Sequence, residues 1–79
     1  MQEETKLTVY NLEPDKVATI INVTADAIIR QRLFDMGILP NNQIVKMRTA
    51  LGGDPVWVNV QGIEIALRKN ETEAIEVKI

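Results

Sequence analysis

The sequence predicts a small, mostly β domain that closes, or nearly closes, into a barrel and carries one helix. Apolar and polar residues alternate in six short segments, as they do in strands with one buried face. These segments are residues 6–10, 16–23, 43–50, 56–61, 63–68 and 75–79. Turn residues separate most of them, and one intervening segment changes to helical spacing. Barrel closure is favoured because it removes the unpaired strand edges that promote aggregation.

Length and composition favour one folded domain over residues 1–79. The chain is 46% hydrophobic and 25% charged with a net charge of −2, which is typical of a folded domain rather than a disordered one. Its start, Met-Gln-Glu-Glu, has no apolar stretch, so we expect no signal peptide. No apolar run approaches the roughly 18–20 residues that span a bilayer. These features, with the lack of cysteine, predict a cytoplasmic protein.

The residue types argue against catalysis and against a metal or cofactor site. The sequence contains no histidine, cysteine or serine, which removes the usual general base, the best transition-metal ligands and two common nucleophiles. The later glutamates alternate with apolar residues and are predicted to form a solvated rim: Glu64, Glu71, Glu73 and Glu76. For Asp54, hydrogen bonds to the amides of its own turn are favoured over a carboxylate cation site.

One helix of about three turns is expected between the second and third strands. Thr24 is predicted as its N-cap, with Asp26 in the first turn. Gly37 is predicted to end the helix in the left-handed conformation, with Ile38 making the accompanying apolar contact. The buried stripe is expected at Ile29, Leu33 and Met36, flanked by Ile28. The preceding strand has apolar residues on both faces, so we expect it to be covered on both sides. Ala18 and Ile20 lie on one face, and Val17, Ile21 and Val23 lie on the other.

Several tight turns are expected at glycine, proline and asparagine. Pro40 begins a turn that continues through Asn41, and Gly62 follows Gln61 between two strands. Gly52, Gly53, Asp54 and Pro55 are predicted to connect two strands. A phosphate loop is not expected there, because such loops open a helix. Residues 70–73 have the pattern of a capping box that opens a single helical turn.

The best candidates for contact with a partner are Trp57, Arg30 and Arg32. Trp57 alternates with Val56 and Val58 among polar neighbours, so it is either an anchor for a partner protein or part of a peripheral core. The two arginines are expected on the outer helix face, where they either attract an acidic partner or are simply solvated. Nucleic-acid binding is not favoured, because the three aromatic residues are not spaced as a stacking platform.

An ordered set of motifs along nearly the whole chain resembles the FeoA family. The helix end and proline turn, the Gly-Asp-Pro turn and the closing stretch all occur in the family's order. The motifs are Leu12 and Pro14, residues 32–40 (RLFDMGILP), residues 51–55 (LGGDP) with Val56, Val58 and Val60, Gly62 with residues 65–68 (IALR), and Glu71 with residues 74–75 (AI). Lys16, Asn41 and Ala50 replace residues that are more usual in the family, and each affects turn geometry only.

The resemblance implies a Src-homology-3-like, partly closed barrel of about five to six strands with one α-helix and a short helical turn. It also implies a non-catalytic accessory role in bacterial ferrous iron uptake, in which the protein binds the cytosolic GTP-binding part of the membrane transporter FeoB. Contact with the membrane is expected only through that transporter, and self-association is left open. The resemblance also implies transition-metal binding, for which this chain has neither histidine nor cysteine. The alternative is a regulatory barrel like the C-terminal domain of DtxR-type metal-dependent repressors.

Overall fold

The computed structural model describes residues 6–79, so the acidic start of the chain lies outside the described residues. Five strands and two helices follow one another along the chain, with a short 3-10 turn before the first strand and another between the second and third. The strands are β1 (Val17–Val23), β2 (Gln43–Thr49), β3 (Val56–Val60), β4 (Ile63–Leu67) and β5 (Ile75–Lys78). The helices are α1 (Ala27–Asp35) and α2 (Lys69–Glu73), and the 3-10 turns are Val9–Asn11 and Leu51–Gly53.

The strands form one antiparallel sheet in the order β4-β3-β2-β1-β5. The mostly β fold is therefore confirmed, but the sheet stays open between β4 and β5 rather than closing completely. The strand predicted at residues 6–10 is wrong, because only Thr8 forms a bridge, with Glu76, before the chain turns. Val9, the first residue of that turn, is fully buried in the core.

One face of the sheet carries the core. Fourteen apolar residues form a single buried cluster: Val9, Leu12, Ala18, Ile20, Val23, Leu33, Ile38, Ile44, Val56, Val58, Val60, Leu67, Ile75 and Val77. The expectation that β1 is covered on both faces is wrong, since Val17 and Ile21 are 51% and 43% exposed. An irregularity between Ile20 and Asn22 shifts the register against β5 and brings Val23 to the buried side.

Helix α1 begins two residues later than predicted and ends as predicted. Asp26 is the N-cap, and its Oδ1 accepts the Ile29 N–H at 3.0 Å. Thr24 instead donates its N–H to the Ala74 carbonyl at 2.8 Å. At the other end Gly37 has φ +89°, and the Ile38 N–H returns to the Leu33 carbonyl at 3.0 Å, as in a Schellman motif. Leu33 is buried and Ile29 and Met36 are partly buried, whereas Ile28 is 83% exposed.

Helix α2 is capped at its N-terminus by residues other than those predicted. The Arg68 N–H donates to Oε1 of Glu71 at 2.8 Å, so the box spans residues 68–71 instead of 70–73. Glu71 is only 2% exposed, which makes its assignment to the solvated rim wrong. Asp54 does not bond within its own turn as predicted; its Oδ1 accepts the Lys69 N–H at 2.8 Å, across 15 residues of sequence.

Candidate partner-binding face

The strongest candidate site lies on the sheet face that points away from the core. Along β3 the buried side chains of Val56, Val58 and Val60 alternate with the half-buried Trp57 and Asn59. Because successive strand residues point to opposite faces, Trp57 lies on the outer face. Its surroundings come from β2 and β4, which flank β3 in the sheet.

Trp57 is held against the sheet by Arg48 of β2. The guanidinium carbon of Arg48 lies 4.5 Å from the centre of the indole ring, within cation–π range. The same guanidinium lies 3.3 Å from Oε2 of Glu64 on β4. Three neighbouring strands thus contribute to one Glu64–Arg48–Trp57 stack that keeps the indole ordered and partly open to solvent.

A bulge in β2 creates this arrangement. Lys46 pairs with Val58 and Arg48 with Trp57, so Met47 is an extra residue and the register shifts between them. In a regular strand Lys46 and Arg48, two residues apart, would share one face; because of the bulge they lie on opposite faces. Arg48 was therefore missed as a site residue, and no periodicity in the sequence marks the bulge.

Next to this stack, the outer face forms a groove of about 400 Å³. Its strand residues are directly paired, Val17 with Val45 and Val45 with Asn59. The remaining lining residues come from two turns and the start of β2: Asn41, Asn42, Gln43, Gln61 and Gly62. None of these side chains is charged, and five carry amides. Such a surface suits hydrogen bonding to neutral polar groups more than binding of ions.

The predicted arginines do not share this face. Helix α1 contributes Leu33 to the core on the opposite side of the sheet, and Arg30 is exposed on that helix. Arg32 points toward α2, where its Nη1 lies 2.8 Å from Oε2 of Glu71. The structure therefore brings Trp57 together with Arg48 and the groove, and separates it from Arg30 and Arg32.

A second cationic feature lies where β2 meets the first 3-10 turn. The Lys46 ammonium donates to the Tyr10 carbonyl at 2.8 Å and lies 5.3 Å from the centre of the Tyr10 ring. Lys69 lies 5.1 Å from the centre of the same ring. Burial lowers the pKa of Lys46, because desolvation disfavours its charged form. The contacts of Lys46 join the N-terminal turn to the sheet, which is a structural role.

The described part of the chain contains no group of three or more acidic, cysteine or histidine side chains that could hold a metal ion. Within residues 6–79 no helix is both long and apolar enough to cross a membrane. The outer face combines the half-buried indole of Trp57 with an open groove, and both are surfaces that a partner could contact.

Comparison with known proteins connects the fold to a family. The family model described as "FeoA domain" matches residues 7–79. A relative from Campylobacter jejuni that carries the name "Putative Fe(2+) transport protein A" is 26% identical over 73 residues, covering 92% of this chain and 99% of the relative. The solution structure of the FeoA protein from Chlorobium tepidum is 33% identical with a TM-score of 0.86, covering 92% of this chain and 70% of that one.

Another similar structure describes the fold by name. The FeoA of Stenotrophomonas maltophilia, solved in complex with zinc and described as a procaryotic SH3 domain protein, is 25% identical with a TM-score of 0.81. The alignment covers 91% of this chain and 89% of that one. The predicted Src-homology-3-like fold is thereby confirmed.

Metal-dependent repressors share the fold alone. A manganese-dependent transcriptional repressor is 14% identical with a TM-score of 0.84, and the match covers 98% of this chain but only 38% of the repressor. Identity this low does not carry the repressor's role over. The family-model match over residues 7–79 is of a different kind, and it shows that the chain belongs to the FeoA family.

Proposed function

We propose that this protein is a non-catalytic accessory of ferrous iron uptake that docks on the cytosolic GTP-binding part of a FeoB-type transporter. Two findings support a role in ferrous iron uptake: the chain belongs to the FeoA family, and it is similar to the Campylobacter jejuni relative named above. Docking would recruit the protein to the inner side of the membrane only through the transporter and would modulate the transporter's assembly or GTP turnover.

The observation that carries the proposal is the environment of Trp57. Tryptophan is among the residues most enriched at energetically dominant interface positions, since it offers a large apolar area with little flexibility. Here the indole is half-buried, oriented by Arg48 and adjacent to the open groove. A partner could cover its remaining surface without any rearrangement of the sheet.

The charges around Trp57 indicate what kind of contact this face makes. Arg48 is already paired with Glu64, and the groove is lined by amides and valines. The face therefore offers apolar area and neutral hydrogen-bonding groups in place of a net charge. A protein surface that presents backbone or amide groups around an apolar centre fits it better than a phosphate-rich ligand does.

The direct test is a titration of this protein against the isolated cytosolic domain of the cognate transporter. We expect saturable binding, and we expect Trp57→Ala to weaken it by roughly 30-fold or more, the size of an interface hot spot. Trp57→Phe retains an aromatic ring and should lose less. Arg30→Ala, on the helix side of the sheet, is the matched control and should bind like the wild type.

Circular dichroism and thermal unfolding of each variant separate lost binding from lost folding. If wild-type protein does not bind the cytosolic domain, and deletion of the gene leaves ferrous iron uptake unchanged, the proposal is wrong. If binding occurs but Trp57→Ala matches the wild type while Arg30→Ala does not, docking uses the helix side instead of the outer face.

A further inference from the structure

Strand β4 is an open edge of the sheet. It pairs with β3 on one side only, and among residues 6–79 no other backbone hydrogen bond reaches it. The opposite edge of the sheet, strand β5, is partly covered by the chain. There Thr8 forms a bridge with Glu76, and the Val77 N–H donates to the Leu7 carbonyl at 2.9 Å. The chain thus covers part of β5 and leaves β4 available.

The hairpin geometry identifies the backbone groups that point outward from β4. Gln61 and Gly62, both with positive φ, form a two-residue turn between Val60 and Ile63. Such a turn makes Val60 and Ile63 a hydrogen-bonded pair, and hydrogen-bonded pairs recur at every second residue. Ile63, Ile65 and Leu67 therefore bond to β3. The N–H and C=O groups of Glu64 and Ala66 point away from the sheet.

This edge lacks several of the features that usually prevent edge-to-edge pairing, and its one charged side chain, Glu64, is paired with Arg48. The residues of β4 are Ile-Glu-Ile-Ala-Leu, without lysine or proline, and the register with β3 is unbroken. On its core side Leu67 is buried, Ile65 is half-buried and Ile63 is 63% exposed. The apolar side chains of β4 therefore extend from the core to the solvent along the open edge of the sheet.

We propose that two copies of this protein associate by pairing their β4 strands antiparallel, with Ile65 on the two-fold axis. In this register Glu64 of each copy lies opposite Ala66 of the other. Both residues have free outward N–H and C=O groups, so the two pairs would form four backbone hydrogen bonds. The result is a continuous ten-stranded sheet, and the inference does not depend on the proposed function.

Shifting the two-fold axis by one residue in either direction also places outward-pointing backbone groups opposite each other. Both of these alternative registers are less favourable. Centring the axis on Glu64 places the two Glu64 side chains directly opposite each other, and like charges in that position repel. Centring it on Ala66 places Glu64 opposite Arg68. The Arg68 N–H already donates to Glu71, and the Arg68 carbonyl already accepts from Glu71 and Thr72, so that register loses bonds.

Side chains on both faces fit the Ile65-centred register. On the core side, the exposed Ile63 of one copy lies opposite Leu67 of the other, and the two Ile65 side chains meet at the axis. On the outer face, Glu64 is already neutralised by Arg48 and lies opposite the small, exposed Ala66. The pairing therefore covers apolar area without burying an unpaired charge.

Analytical ultracentrifugation across a wide concentration range tests the association. We expect the wild type to shift from the 8.9 kDa monomer toward twice that mass as concentration rises. Ala66→Pro should stay monomeric, because it removes an outward N–H and puts a ring at the interface, at an edge position where proline is tolerated. Ala66→Thr keeps the N–H and should still associate. A wild type that remains monomeric at about 1 mM, or an Ala66→Pro that associates equally well, overturns the inference.

Cysteine crosslinking tests the register independently, even if Ala66→Pro fails to fold. The chain contains no cysteine, so a single introduced thiol reports one position. Directly opposed residues at a non-hydrogen-bonded position lie about 4.5 Å apart between Cα atoms, within disulfide range. Ile65→Cys should therefore form a disulfide dimer under mild oxidation, while Ala66→Cys and the helix variant Ile28→Cys should not. Crosslinking of Ala66→Cys in preference to Ile65→Cys, or equal yields from all three, contradicts the proposed pairing.

Discussion

Arg32 and Glu71 form an ion pair of 2.8 Å that joins α1 to α2. Its two ends differ sharply in environment, since the Glu71 side chain is 2% exposed and that of Arg32 is 53% exposed. The other carboxylate oxygen accepts the Arg68 N–H at 2.8 Å. Glu71 is therefore a buried charge satisfied on both oxygens, and Arg32 is the half-solvated group that makes its burial tolerable.

We expect Arg32→Ala to reduce the free energy of unfolding by about 1–2 kcal/mol, because it leaves a buried carboxylate with one partner fewer. Solvent exposure of the guanidinium keeps the loss below that of a fully buried pair. Urea denaturation measures the change. Arg30→Ala, two residues earlier in the same helix and exposed, should cost less than about 0.5 kcal/mol. Equal losses in the two variants would show that the ion pair contributes nothing.

Removing Arg48 should expose Trp57 without unfolding the protein. Arg48→Ala deletes the group that covers the indole, and at an exposed site this contact is worth about 0.5–1 kcal/mol. Because Trp57 is the single tryptophan, its fluorescence reports on this face alone. We expect a red shift of the emission maximum and stronger quenching by acrylamide. Arg68→Ala, which leaves the stack intact, is the control, and a spectrum identical to wild type for Arg48→Ala would contradict the stacked geometry.

The carboxylate of Asp54 should stabilise α2, although the two are far apart in the sequence. Asp54→Ala leaves the Lys69 N–H without its acceptor, and loss of a comparable helix cap costs about 1 kcal/mol. Asp54→Asn retains an acceptor oxygen in the same place and should lose less. Thermal unfolding of both variants measures the difference. If alanine and asparagine behave alike, the hydrogen bond to Lys69 does not contribute to stability.

Lys46 should make stability depend on alkaline pH. Burial lowers the pKa of Lys46 in the folded protein below its ordinary value of 10.5. Between the lowered value and 10.5 the unfolded chain binds more protons than the folded one, so the free energy of unfolding rises with pH in that window. The NMR titration of the Lys46 Cε resonance should have its midpoint below that of the same residue in urea.

Lys46→Met is the matched variant for the stability measurement, since all other titrating groups are shared. Relative to it, the wild type should become more stable as pH rises toward 10.5. A difference between the two proteins that stays constant over this window, or that falls, would rule out a lowered pKa.

Much of the fold follows from local patterns. Alternation along β3 predicts Val56 and Val58 on one face and Trp57 on the other, and the structure agrees because successive residues of an unbroken strand point to opposite faces. The end of α1 was predictable for a similar reason, since Gly37 accommodates a positive φ that other residues rarely adopt.

Only part of the candidate site could be predicted from local sequence patterns. Trp57 stood out by composition and alternation, but its partner Arg48 and the groove beside it did not. Arg48 reaches the indole only because the bulge at Met47 moves it to the outer face. A bulge changes which face every later residue occupies, and no spacing in the sequence records it.

The sequence by itself determined the mostly β class, the core-facing residues of β3, the helix with its glycine end, and a composition without histidine or cysteine. Tertiary structure alone decided that Glu71 is buried against Arg32, that Asp54 caps a helix 15 residues away, and that β4 stays open while β5 is covered. The division has one physical cause. Local features depend on neighbouring residues and their backbone preferences, whereas these contacts join segments whose meeting depends on the packing of the whole chain.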